Sequence, residues 1–322
     1  MNSQNPTSSI DIRLAEYVRQ RKAGAEAHLI DGIPDYAYQM DFTMRQKILA
    51  IPGVFPFFKA LTSQVVPMIR QQTNLHALKI GPSQYPGVYE MVVDCARRLS
   101  IGIPTVFILP NPAEMNAGAY AMEDDTPLIT ITSGLMERST PGELRTAIGH
   151  ECGHIHNNHS IYSTAVNTVL EAGGLAIPGL SQLMALASAP IKMALLAWSR
   201  AAEVTCDRAG IICADDPADA STMMMKLASG GAFTGAELNI EAMLKQYDTL
   251  RATPVRYLEA IQLDHPVVSR RIFAQREFLG SEVLYAWRPE WRRPDMRLVD
   301  KEELDARCMR YISVAKSEKR SG

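Results

Sequence analysis

An α+β fold, mostly helical around a small β-sheet, is what these 322 residues predict. Three observations carry it. Apolar residues recur at helical spacing along most of the chain, and short strand-like runs cluster between residues 103 and 133. One capped helix carries an H-E-x-x-H string: His150, Glu151, Cys152, Gly153 and His154.

The elements follow in chain order. Residues 11–29 read as an amphipathic helix, with Ile12, Leu14, Val18 and Leu29 set against many charges. Gly32-Ile33-Pro34 and Ile51-Pro52-Gly53 punctuate the chain, and Phe55, Phe57, Phe58 and Leu61 read as packing residues. Residues 83–99 form the next helix, with Tyr89, Met91, Val92, Val93, Cys95 and Leu99 as its apolar positions. Ile103–Leu109 and Pro127–Ser133 are rich in β-branched residues and read as strands, with another around Gly118–Ala121 before a turn at 123–125.

The helix that follows has every start signal. Thr140 fits an N-cap, Pro141 the first helical position and Glu143 the third position of a capping box. Leu144, Ala147, Ile148 and Ile155 make its core face, leaving another face to the two histidines. Gly149 and Gly153 each weaken a helix by up to ~1 kcal/mol relative to Ala, a cost that fits a closely packed neighbour. Residues 235–262 read as helical, and 300–318 as a charged, weakly amphipathic helix.

Composition narrows the function classes. A net charge of −2 and a pI near 6.4 leave no electrostatic footprint for nucleic acid. Five cysteines without a C-x-x-C pair suit a reducing compartment, and the polar amino terminus lacks the order of a secretory signal. These features point to a cytoplasmic protein, free or peripheral to a membrane. Twenty uncharged residues stand between Glu171 and Lys192; their Gly and Pro content reads as a buried helical hairpin, with membrane contact as the alternative.

The chemistry rests on spacing. Residues four apart share a helix face, so His150 and His154 converge on one divalent ion and Glu151 reaches the water beside it. That arrangement serves metal-assisted hydrolysis of a peptide bond. A catalytic zinc takes three protein ligands. His156 points away from the pair, and His159 matches neither i+3 nor i+4 from His154. The stretch Ser199–Gly210 instead supplies Glu203 as the third ligand and Asp207, one turn later, as acceptor for the ring N–H of a ligand histidine. The bland alternative is a solvated helix face with both carboxylates beside Arg200 and Arg208.

Together, His150–His154 and Ser199–Asp207 resemble the M48 family of zinc metallopeptidases, the gluzincin group that includes HtpX-like and CAAX prenyl proteases. The family pattern pairs H-E-x-x-H with S-R-x-x-E-x-x-A-D. Asn116-Ala117-Gly118-Ala119 resembles the family's substrate-bordering strand, and His265-Pro266 with Arg271-Ile272 its late His-Pro and Arg-Ile element. The resemblance implies a zincin-like metallopeptidase domain at 65–280, between a helical extension, 1–64, and a tail with a helix, 281–322. It implies one Zn²⁺ held by His150, His154 and Glu203, with Asp207 behind them and Glu151 as general base. His265 and Arg271 would steady the tetrahedral intermediate, and Asn116, Ala117 and Ala119 would hold a polypeptide substrate, unfolded or membrane-associated. Two departures stand out: Cys152 replaces the usual Leu and Cys206 the usual Ala, with buried packing expected at Cys152. A zinc-stabilised, chaperone-like binder that does not cut its partner is the alternative function.

Overall fold

The computed structural model of the chain describes residues 28–121, 126–160, 162–164, 189–231, 239–250 and 267–312. Most of the expected helix at 11–29, the turn at 123–125, nearly all of the uncharged segment, and His265 lie outside them. The described elements are β1 (Leu29–Ile30), β2 (Ile33–Pro34), α1 (Gln39–Leu49), α2 (Val54–His76), β3 (Leu78–Lys79), α3 (Pro86–Arg98), β4 (Thr105–Leu109), β5 (Ala117–Tyr120) and β6 (Leu128–Thr132). After them come α4 (Ser133–Arg138), α5 (Pro141–His156), α6 (Ala189–Cys213), α7 (Ala218–Ala228), α8 (Ile240–Leu250), α9 (Val268–Leu279), α10 (Glu282–Trp287) and α11 (Lys301–Ile312). This is the expected α+β class, helices predominating around one four-stranded sheet and one hairpin.

The amino-terminal part corrects one expectation. Leu29 is not the end of a helix but pairs with Pro34 across the hairpin, because Asp31 and Gly32, at φ 52° and 78°, turn the chain back on itself. The boundary expected between residues 64 and 65 falls inside α2, which runs unbroken through Pro67. His28 stacks on Trp287 at 3.8 Å and its Nδ1 lies 3.0 Å from Asp35, whereas His76 is exposed.

The sheet runs β3-β4-β6-β5, with β4 and β6 parallel and the other pairs antiparallel. Every residue of β6 is buried, which its Leu-Ile-Thr-Ile-Thr run favours. β5 closes one side of the sheet and, among the described residues, keeps one edge unpaired. The main core gathers Val92, Cys95, Ile129, Leu135, Ile148, Cys152, Ile211 and Phe278. Cys152 is fully buried there, as its face of α5 requires. Leu304, Cys308 and Ile312 of the carboxy-terminal helix join the same core.

α5 starts as its sequence dictates. The Thr140 hydroxyl accepts from the Glu143 N–H at 3.3 Å, while Glu143 accepts from the Thr140 N–H at 2.8 Å and from Lys226 at 2.6 Å. α6 ends against two arginines. Arg98 donates to the carbonyls of Cys213 and Ala214 at 3.0 Å, and Arg288 to that of Ile212 at 2.8 Å, meeting the negative end of the helix.

α5 and α6 approach through small residues. A Cβ built on Gly149 would lie 2.4 Å from the Cβ of Cys213, and one on Gly153 only 2.6 Å from that of Ala209. Gly210 faces the Thr146 carbonyl at 3.0 Å in the same way. Among the described residues no single helix is long and apolar enough to cross a membrane, although α1 and α2, bent by 99°, pass that test as a pair.

Two outcomes follow. Gly153→Ala forces the helices apart; the overpacking penalty of about 1–3 kcal/mol exceeds the propensity gain of up to ~1 kcal/mol, so calorimetry should give a lower Tm. His156, whose Nδ1 lies 2.9 Å from the Tyr36 hydroxyl, is held from 6.5 down to about 4, chiefly by burial. The unfolded chain therefore binds a proton there that the folded chain refuses. Stability is present above pH ~6.5 and lost as pH falls toward about 4, by an amount on the order of 3 kcal/mol from this one group. Melting curves of wild type and His156→Gln across that window should show a shallower decline in the variant.

Candidate metal centre

One helical turn separates His150 and His154 on α5, and their Nε2 atoms stand 3.3 Å apart. Glu203 on α6 completes a triangle, with one carboxylate oxygen 3.5 Å from His150 Nε2 and the other 3.5 Å from His154 Nε2. A tetrahedral ion with bonds of ~2.1 Å has ligand–ligand edges of ~3.4 Å. Each of these spacings is therefore close to a ligand–ligand edge of a zinc coordination shell, with one carboxylate oxygen near each imidazole.

Chemistry agrees with size. His150 Nδ1 lies 3.1 Å from Asp207, an ionised acceptor, so Nδ1 carries the proton and Nε2 turns a lone pair toward His154 and Glu203. A His150 lone pair, the His154 imidazole and a buried carboxylate facing one another form a donor set that suits a cation. Glu203 and Asp207 are each only 4% exposed, which removes the solvated-face alternative. Nor does Arg208 stand beside the pair as a counter-charge: it reaches away to Asp305 at 2.8 Å and to the Tyr36 carbonyl at 3.0 Å. Arg271 of α9 takes that part, bonding Asp207 at 2.6 and 2.8 Å and Glu203 at 2.9 Å. Burial alone would raise the Asp207 carboxyl, yet Arg271 and His150 hold it below its ordinary value. Burial opposes the charge on Arg271 too, and the two carboxylates outweigh it and keep the guanidinium protonated. The guanidinium thus grips the carboxylates rather than standing free toward the cleft.

Cys206 lies near enough to be weighed as a ligand, its Sγ and one nitrogen of each imidazole falling within 4.8 Å of one another. Glu203 closes the tighter triangle. The Cys206 sulfur instead stands 3.4 Å from His159 Nδ1, and burial, followed by the charge of Glu203, keeps it a thiol. His156 and His159 turn elsewhere, to Tyr36 and to Asp41.

A cleft of about 430 Å³ opens on His150, His154 and Glu203. Glu151 lines it beside the two histidines, and Asn116, Ala117, Gly118, Ala119 and Tyr120 of the β5 side form one wall. Thr132 bonds the Asn116 N–H at 2.9 Å and the Asn116 side chain bonds Glu114 at 2.9 Å, fixing where the strand begins. Leu135, Met223, Met224 and Leu227 add apolar lining. Sequence reasoning missed these residues and Trp198, which also lines the cleft. The run Met223-Met224-Met225 carries its signal only as apolar helical residues, which any core helix shares. His150, Glu151, His154, Glu203, Asp207, Arg271 and the 116–119 strand thus meet at one cleft, while His265 lies outside the described residues.

Replacing Asp207 with Asn leaves the His150 tautomer unenforced and one carboxylate fewer beside Arg271. Chelator competition should show metal affinity reduced about 10–100-fold, with Glu203→Ala losing more.

Known proteins resemble this chain in sequence. Residues 82–278 match the model of peptidase family M48. The chain is 30% identical over 241 residues to the plastoglobule-localized metallopeptidase 48, chloroplastic, of Arabidopsis thaliana, covering 72% of this chain and 69% of that protein. It is 34% identical over 116 residues to a protease HtpX homolog of Levilactobacillus brevis, 34% of this chain and 37% of that one. With the protease HtpX homolog 1 of Sulfurisphaera tokodaii it shares 34% identity over 105 residues, 33% of each chain. The chain therefore spans about a third of these two HtpX relatives. No solved structure matches it. With the family model covering more than half its length, the chain belongs to peptidase family M48.

Proposed function

We propose that this metallopeptidase is a zinc-dependent endopeptidase whose general base is Glu151. The observation that carries the reading is the convergence of His150, His154 and Glu203, with 3.3 Å between the imidazole nitrogens and 3.5 Å from each to a different carboxylate oxygen, beside Glu151 in an open cleft. Zinc, when held by those three side chains, supplies Lewis acidity toward a water and a scissile carbonyl.

The chain's own groups do the rest. Asp207 keeps His150 in the tautomer that offers Nε2, and Arg271 holds Asp207 and Glu203 in register with it. Glu151 takes a proton from the attacking water and returns it to the nitrogen of the leaving amine. The open edge of β5 supports an extended polypeptide lying along Ala117–Tyr120 through backbone hydrogen bonds, so recognition there depends little on side chains. Such a mode suits unfolded or membrane-associated polypeptides. Since Arg271 is engaged by two carboxylates, stabilising the oxyanion is assigned to His265, with Arg271 acting behind the ligands. The non-cutting binder finds no supporting observation, because binding alone gives no reason for Glu151 beside the ligands.

Glu151→Gln should retain one metal per chain by elemental analysis while cleavage of an unfolded polypeptide falls at least ~100-fold. Chelation should silence the wild type, and added Zn²⁺ should restore it. Near-normal cleavage by the variant would overturn the assignment of the base.

A further inference from the structure

Asp41, on α1, lies outside the residues that match the family model, yet it is a buried carboxylate at the back of the metal centre's framework. Its side chain is buried and accepts three hydrogen bonds. His159 Nε2 donates at 2.8 Å, the Thr205 hydroxyl at 2.7 Å and the Trp198 indole N–H at 2.9 Å. Those donors are themselves buried. Burying a carboxylate is costly unless its lone pairs are satisfied, and these three donors do that.

Each donor leads to a different part of the site. The His159 ring packs edge-on against the ligand ring of His154, with centroids 5.4 Å apart. Thr205 sits on α6 between the ligand Glu203 and Asp207, and its hydroxyl also accepts the Tyr38 N–H at 3.1 Å. Trp198 lines the cleft about one turn and a half before Glu203 and packs edge-on to His159 at 5.8 Å. His159 donates from Nε2, so its Nδ1 faces Cys206, which closes the network on the α6 side at 3.4 Å.

We propose that Asp41 is a positioning residue of the metal centre. Its three hydrogen bonds fix the support of His154 after the end of α5 and the segment of α6 that carries Glu203. They thereby set the distance between the imidazole and the carboxylate that must share an ion. α1 is then part of the metal site's scaffold. This rests on the reading of His150, His154 and Glu203 as ligands.

The test measures zinc affinity by chelator competition, with folding followed separately by circular dichroism, on the full chain. Asp41→Asn and Thr205→Val should bind zinc about 10–100-fold more weakly than wild type at a temperature where every variant is folded. Leu304→Ala, which opens a cavity in the core on the carboxy-terminal helix, serves as a control for destabilisation alone. It should lower Tm and leave zinc affinity unchanged. Equal affinity in wild type, Asp41→Asn and Thr205→Val would overturn the proposal, as would an equal loss in Leu304→Ala. Should Asp41→Asn fail to fold, Thr205→Val and Trp198→Phe decide: weakened binding in both supports the proposal, and wild-type affinity in either overturns it. A wild type that binds no zinc would instead sink the ligand assignment beneath it.

Discussion

The close crossing of α5 and α6 is the constraint on which the site depends. Ligands from one helix define only a pair of imidazoles; the third must come from a neighbour whose backbone is near enough for a short carboxylate side chain to arrive. Gly149, Gly153 and Gly210 make that approach, since a methyl group on Gly149 or Gly153 would collide with Cys213 or Ala209. Helix propensity is given up at these positions, up to ~1 kcal/mol each, in exchange for geometry. Both ends of the crossing are then anchored, by the capping box at the start of α5 and by Arg98 and Arg288 at the end of α6.

Charge is the second constraint. Two buried carboxylates beside two imidazoles would repel one another and be poorly solvated. Arg271 offsets part of that charge by contacting both, which leaves the cluster able to accept a divalent cation without first releasing a counter-ion to solvent. Behind it the Asp41 network ties in an element from the amino-terminal part of the chain. The site is thus assembled from α1, α5, α6 and α9, and it opens on the cleft along β5.

What could be read from the sequence follows the range of the forces involved. Capping at Thr140, Pro141 and Glu143 is local, as is β-branching in 128–132, and both elements stand where those residues put them. The His150/His154 pair repeats at one helical turn beside a glutamate and was legible alone; Glu203/Asp207 shares its spacing with any solvated helix face, and only the H-E-x-x-H string upstream and the family resemblance singled it out. α1 and α2 were not legible. Ile51-Pro52-Gly53 reads as punctuation and Phe55–Leu61 only as packing residues, yet α2 starts directly after Gly53 and runs on past them, with Phe58, Leu61 and Val66 buried along it. Arg271 as the grip on the carboxylates and Asp41 as their support are separated in sequence by 64 and 118 or more residues from the groups they bond, and tertiary packing alone brings them there. Cys206 read only as a small departure from the usual Ala, and its contact with His159 comes from packing that the local sequence does not encode.

The most direct test is X-ray absorption at the zinc edge on the metal-loaded protein, since it reads which atoms surround the ion. A centre held by His150, His154 and Glu203 gives nitrogen and oxygen neighbours alone, at about 2.0–2.2 Å, with imidazole scattering from two histidines that is lost in part when either His150 or His154 is replaced. A sulfur neighbour at about 2.3 Å would put Cys206 where Glu203 is assigned and contradict the carboxylate-closed centre.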